Sequence, residues 1–153
     1  MIKELFFKMS ASPEETEAIG ADLARAILSD PLLPRFVAFY GDLGSGKTAF
    51  IRGFTSVVSP TSAVRSPTFT VVNEYRGGIL PVFHFDMYRI DGEDDLYSIG
   101  FYDYLPSGIC LCEWSENIEF AIPEDHIRLE ISRVPQPDSE NVREIRASLI
   151  STN

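Results

Sequence analysis

The chain has 153 residues, 44% hydrophobic and 24% charged, with a formal net charge of −10, which fits one domain with its own core and excludes a disordered polymer. No apolar run approaches the roughly 18 residues of a membrane span, and the opening Met-Ile-Lys-Glu-Leu-Phe-Phe-Lys is too short and mixed for a signal peptide, so a cytoplasmic protein is expected. The acidic balance repels phosphodiester backbones and argues against broad contact with nucleic acid.

Residues 2–8 predict a short strand. Ser12-Pro13-Glu14-Glu15 then opens a helix: Ser12 caps it, Pro13 suits the first helical position and Glu15 completes a capping box. The helix runs to about Leu28 with Ile19, Leu23 and Ile27 inward. Residues 35–40 form a nearly continuous apolar run, as in a strand covered on both faces. A glycine-rich turn follows, and a second helix starts at Lys47, with Phe50, Ile51, Phe54, Val57 and Val58 on one stripe. Residues 59–68 read as a loop. Residues 69–75 and 79–85 read as an antiparallel hairpin about the Gly77-Gly78 turn. A short helix is expected over 93–105 and a buried strand over 109–114. Half-exposed strands are expected over 126–131 and 144–149, joined by a loop around Pro135-Gln136-Pro137-Asp138. The acidic stretches at 91–95 and 113–125 read as solvated faces. Cys110 and Cys112 share a strand face two residues apart and read as buried free thiols.

The turn Gly41-Asp42-Leu43-Gly44-Ser45-Gly46-Lys47-Thr48 has the phosphate-loop spacing. Its glycines let successive N–H groups point inward, and the helix that follows adds its N-terminal partial charge. Lys47 is placed to neutralise the β- and γ-phosphates, and Thr48 to offer a hydroxyl to Mg²⁺. With a buried strand before the turn and a helix after it, the pattern predicts an α/β fold. The expected unit is a single P-loop NTPase-like domain over 1–153: a mixed, mostly parallel sheet flanked by helices, with antiparallel hairpins.

Mg²⁺ needs oxygen ligands near Thr48, and ligands of open α/β sheets collect at the carboxyl ends of strands. Two acids end apolar runs, Asp86 after 82–85 and Glu113 after 109–112. One could hold the metal and the other orient the attacking water, and their order leaves the two roles open. Lys47, Asp86 and Glu113 are therefore the candidate catalytic residues. Thr68 is placed to sense a γ-phosphate from the loop after the second helix. Trp114 is either a core aromatic or a shield or partner contact beside the nucleotide. His84 shares a face with Asp86 and either orients that carboxylate or is a satisfied core histidine. Arg89 could reach phosphate or a partner, or form a surface ion pair.

Four segments together resemble one family: 41–48, Ser-Pro-Thr-Phe-Thr at 66–70, His-Phe-Asp-Met-Tyr-Arg at 84–89, and Cys-Glu-Trp at 112–114. Their order and spacing look like the bacterial TsaE (YjeE) family, P-loop ATPases required for threonylcarbamoyladenosine modification of tRNA, over about residues 10 to 120. The resemblance implies ATP and Mg²⁺ as cofactors. It also implies TsaB and TsaD as partners, TsaD transferring the threonylcarbamoyl group to adenosine 37 of ANN-decoding tRNAs while the ATPase supports turnover. It implies that Thr48 and Glu113 coordinate Mg²⁺, with Asp86 at the metal site directly or through water. Thr16 would approach the adenine. Ala49 stands where the family often has a hydroxyl residue, leaving its backbone N–H to face phosphate. The expected nucleotide contacts are Thr16, Gly44, Ser45, Gly46, Lys47, Thr48, Ala49, Thr68 and Trp114.

Three rivals frame that expectation. A P-loop GTPase usually carries Asn-Lys-x-Asp, which this chain lacks, and Asn73-Glu74-Tyr75 is no substitute. A small-molecule kinase would want an arginine-rich lid, and the arginines here are scattered. A nucleotide-gated binding switch with little turnover shares every motif, because P-loop proteins often hydrolyse slowly until a partner engages.

Overall fold

The computed structural model describes residues 1–41, 46–134 and 141–152. One seven-stranded sheet contains β1 (Ile2–Ser10), β2 (Phe36–Tyr40), β3 (Val72–Tyr75), β4 (Val82–Asp86), β5 (Ile109–Glu113), β6 (His126–Arg133) and β7 (Arg143–Ile150). Their spatial order is β1-β7-β6-β2-β5-β4-β3. The central ladders β6–β2, β2–β5 and β5–β4 are parallel. The outer ladders β1–β7, β7–β6 and β4–β3 are antiparallel, so parallel and antiparallel pairings are equal in number. The expected P-loop-type sheet is its centre.

Four helices, α1 (Pro13–Ser29), α2 (Lys47–Val58), α3 (Glu93–Ile99) and α4 (Phe101–Tyr104), and a 3₁₀ segment over Ser115–Ala121 flank it. Alternation along the buried strands sorts side chains to two cores. Val37, Phe39, Ile109 and Leu111 meet Ile19, Leu23 and Ile27 of α1 and Phe50, Ile51 and Phe54 of α2. Phe36, Ala38, Phe83, Phe85, Cys110 and Cys112 face the other way, against Leu96, Phe101 and Ile118. Both cysteines are free and buried there, as expected. Among the described residues no helix is long and apolar enough to cross a membrane.

Local chemistry sets α1. Ser12 Oγ accepts from the Glu15 N–H at 3.1 Å. The reciprocal bond of the expected capping box goes one residue further back, the Glu15 carboxylate accepting from Ala11 N–H at 2.6 Å. α1 and α2 then cross with their backbones almost touching. A Cβ on Gly53 would collide with the Glu17 carbonyl of α1, so only hydrogen fits there.

The hairpin is shorter than its β-forming residues suggest. Residues 67–71 turn instead of pairing, with Val71 N–H bonded to the Pro67 carbonyl at 2.8 Å and Val71 at φ 69°. β3 therefore starts at Val72, and Phe69 is left 85% exposed. On the return side Ile79 N–H bonds to the Val58 carbonyl at 3.0 Å, and β4 starts at Val82. The helix expected over 93–105 is two, interrupted at Gly100 with φ 75°. The strands expected over 126–131 and 144–149 form an antiparallel pair. The connecting residues 135–140 lie outside the described residues.

Candidate functional site

β2 delivers the chain to the glycine-rich turn. Its last residue, Tyr40, is held by the Arg128 guanidinium of β6, 4.2 Å from the ring centroid. Gly44 and Ser45 lie outside the described residues. At Gly46 the chain re-enters with φ 107°, and among the described residues beyond its chain neighbours the atoms nearest a Cβ there lie at 3.9 Å. The backbone angle calls for glycine. α2 begins at the next residue, so Lys47, Thr48 and Ala49 occupy its first turn, where unpaired N–H groups and the helix dipole favour an anion. Thr48 is exposed and Ala49 half-buried. Lys47 is 9% exposed. Its ammonium donates to the Gly41 carbonyl at 3.2 Å and lies 5.5 Å from the centre of the Trp114 ring.

The two acids come together. Asp86 and Glu113 are ladder partners at the carboxyl ends of β4 and β5. They follow the parity of Val82, Ile109 and Leu111, which face α1 and α2, so both stand on the side of the sheet from which Lys47 rises. Asp86 is 9% exposed. Its Oδ1 accepts from Tyr88 N–H at 3.0 Å and its Oδ2 from the Thr68 hydroxyl at 3.3 Å. Thr68, itself exposed, also shares a hydrogen bond with Ser66 at 2.6 Å.

His84 is 1% exposed and does share the face of Asp86, but it does not hold that carboxylate. Its Nε2 lies 2.6 Å from Glu113 Oε2, on the neighbouring strand. Its Nδ1 lies 3.0 Å from the Tyr75 hydroxyl. The acid that His84 orients is therefore Glu113. Ladder pairing explains the change: His84 sits opposite Leu111 and reaches diagonally to the next residue on its face.

Trp114 leaves β5 in the left-handed region, φ 58° and ψ 42°, an uncommon conformation for an aromatic residue. Its ring packs at 4.9 Å on that of the exposed Tyr88. Half-buried, it packs against the second core and also covers Lys47. Arg89 makes no ion pair among the described residues; its guanidinium stacks 5.5 Å from the Phe69 ring centre. Thr16 is buried, and its hydroxyl is committed to Ser10 Oγ at 2.7 Å. Only its methyl approaches Gly46, 3.9 Å from where a Cβ would stand.

Two residues at the site had no signal in the sequence. Arg143 opens β7, and its Cγ and Nε stand 3.9 Å from that same Cβ position on Gly46. It comes there through the β1–β7 ladder, in which it pairs with Ser10. Tyr75, behind His84, belongs to no motif of the sequence.

A central parallel strand that feeds a glycine-rich turn, a helix opened by lysine and threonine, and carboxylates on adjacent strand ends define a P-loop NTPase-like α/β fold. Residues 10–144 match the family described as threonylcarbamoyl adenosine biosynthesis protein TsaE, and the chain belongs to that family. It is 37% identical to the tRNA threonylcarbamoyladenosine biosynthesis protein TsaE of Bacillus subtilis over 86% of this chain and 80% of that protein. It is 36% identical to the Haemophilus influenzae protein of the same name over 74% and 71% of the two chains. The crystal structure of Bacillus subtilis YdiB superimposes with a TM-score of 0.74 at 31% identity, covering 99% of this chain and 88% of that one. The family's role is in tRNA threonylcarbamoyladenosine biosynthesis.

Proposed function

We propose that the chain binds ATP with Mg²⁺ at the 41–48 turn and hydrolyses it, slowly until partners engage. Turnover would support threonylcarbamoyladenosine modification at tRNA position 37 together with TsaB and TsaD. The observation that carries this reading is the pairing of Asp86 with Glu113 on the sheet face from which α2 and Lys47 rise. The reducing cytoplasm suits the two free thiols.

The donor set fits Mg²⁺. Two carboxylates and the exposed Thr48 hydroxyl leave half of an octahedral shell to water and phosphate, and Mg²⁺ usually keeps several such ligands. Among the described residues no group of three or more His, Cys, Asp and Glu could cage a metal by itself. The metal would supply charge neutralisation across the phosphates. Lys47 neutralises the β- and γ-phosphates. The N–H groups at the start of α2, Ala49 included, face phosphate oxygens. Glu113, with one oxygen fixed by His84, keeps the other for metal or the attacking water. Asp86 completes the metal site, and Trp114 and Tyr88 shield it from solvent. Thr16 approaches the adenine, its hydroxyl fixed by Ser10.

A second reading is a nucleotide-gated switch with little turnover. It is favoured by the contact between Thr68, on an exposed loop, and the Asp86 carboxylate, which gives the loop a direct way to sense the occupied site. ATP turnover measured on the chain alone and with TsaB and TsaD separates the two. Phosphate release that rises with the partners supports the ATPase. ATP binding without release in either setting supports the switch, and no ATP affinity by calorimetry rejects both.

A further inference from the structure

We propose that Tyr75 and His84 are positioning residues that fix the Glu113 carboxylate through one hydrogen-bonded path starting in the loop after α2. The inference rests on the hydrolysis reading above for its catalytic meaning, but not for its geometry.

The path is continuous, and its two middle members are buried. The Tyr75 hydroxyl accepts from Arg65 N–H at 3.1 Å and lies 3.0 Å from the Arg65 carbonyl. It is also 3.0 Å from His84 Nδ1, and His84 Nε2 is 2.6 Å from Glu113 Oε2. Tyr75 and His84 are 5% and 1% exposed.

For a neutral imidazole, donor accounting assigns each proton. The hydroxyl has one proton and two acceptors to choose from. The Arg65 carbonyl already accepts from Asn73 Nδ2 at 2.9 Å. Giving the tyrosine proton to His84 Nδ1 leaves Nε2–H to donate to Glu113, and every group is then satisfied.

The consequence falls on Glu113. Its flexible side chain would otherwise sample several rotamers beside the phosphate turn. One anchored oxygen selects a single pose and directs the other oxygen at the site, and such supporting contacts are what hold reacting groups in productive geometry. The same loop also reaches Asp86 through Thr68. The 65–68 segment therefore holds both strand-end acids, Asp86 directly and Glu113 by way of Tyr75 and His84.

Tyr75→Phe keeps the ring and removes only the hydroxyl. We expect kcat for ATP to fall on the order of tenfold with KM unchanged, as outer contacts to reacting groups usually cost. In the Glu113→Gln background the same change should cost nothing more, because its effect runs through that carboxylate. His84→Gln should behave like Tyr75→Phe, and thermal melts of each variant separate misfolding from misplacement. Without nucleotide, ¹⁵N NMR of the two histidines should show His84 protonated at Nε2, with that proton protected from exchange. Wild-type kcat in a folded Tyr75→Phe variant, an equal loss in both backgrounds, or an Nδ1-protonated His84 overturns the proposal. A wild type without turnover but with the Nε2-protonated signal rejects the hydrolysis reading alone and upholds the path.

Discussion

Lys47 and Trp114 form a cation–π contact, the ammonium 5.5 Å from the ring centre, while the same ammonium donates to the Gly41 carbonyl at 3.2 Å. Both contacts draw the lysine across the turn. On the proposed function, an incoming polyphosphate would compete for that charge and pull it off the indole. Trp114 is the only tryptophan, so its fluorescence should change on titration with Mg–ATP. Lys47→Ala should abolish the change and weaken ATP binding at least tenfold by calorimetry, since charge-assisted contacts to phosphate are among the strong ones. Unchanged affinity would reject the phosphate-turn assignment.

Glu113 and its neighbours separate catalysis from folding. Glu113→Ala removes the acceptor of a buried imidazole N–H, and an orphaned buried donor costs about 1–3 kcal/mol. Glu113→Gln keeps an acceptor oxygen for His84 and should unfold near the wild-type urea midpoint. Both variants should lose ATP turnover by at least a hundredfold. Urea melts beside phosphate-release assays check the pair, and wild-type turnover in Glu113→Gln would remove Glu113 from the chemistry.

Thr68 can be tested without touching the core, because it is exposed. Thr68→Val deletes the hydroxyl that reaches Asp86 and should change stability by no more than about 0.5 kcal/mol. Turnover should fall several-fold while ATP affinity stays put. Loss of affinity with unchanged turnover would make Thr68 a binding contact instead.

Much of this site was legible because its signals are local. The phosphate turn is one contiguous stretch, and each acid ends an apolar run, so Asp86 and Glu113 could be picked without knowing the sheet. What depends on strand pairing was not legible. Nothing near His84 in the chain tells that its partner is Glu113, 29 residues on, and nothing near Arg143 tells that the β1–β7 ladder brings it to Gly46. Phe69 and Ile79 have strand-forming side chains. Their backbones are nevertheless claimed by a turn closing on Pro67 and by a bond to Val58, and tertiary context overrode propensity. That Trp114 both packs on the core and covers Lys47 depends on its left-handed backbone, which no local signal announces.

The thiols set a pH limit on stability. Burial pushes Cys110 from its ordinary 9.0 up to about 12, and Cys112 is raised for the same reason. Above pH 9 the unfolded chain releases these protons while the folded one keeps them. The native state then binds more protons, so stability falls as pH rises between about 9 and 12, by up to roughly 1.4 kcal/mol per pH unit per thiol. Urea midpoints from pH 8 to 11 should drop accordingly, and drop less in a Cys110→Ala variant. At pH 8 neither thiol should react with a disulfide reagent unless urea is added.

The contact between α1 and α2 bears on function as well as stability. α2 carries Lys47 and Thr48 on its first turn and shares one sheet face with α1, so its placement depends on its distance from α1. Gly53 makes that distance possible, because the Glu17 carbonyl occupies the space of a Cβ. Gly53→Ala gains helix propensity, worth about 1 kcal/mol, yet must push two backbones apart, and backbone shifts of this kind cost about 1–3 kcal/mol or more. The collision is with backbone, which has no rotamer to escape into, so the net effect should be destabilising by several degrees in the melting midpoint. Displacing α2 also moves Lys47 relative to Asp86 and Glu113, so ATP affinity should fall even where the variant stays folded. Gly92→Ala is the control: no atom lies within 4 Å of its Cβ position, and as a helix-capping change it should cost under about 1 kcal/mol. A Gly53→Ala protein as stable as wild type would mean that the helices are packed less closely than this contact requires.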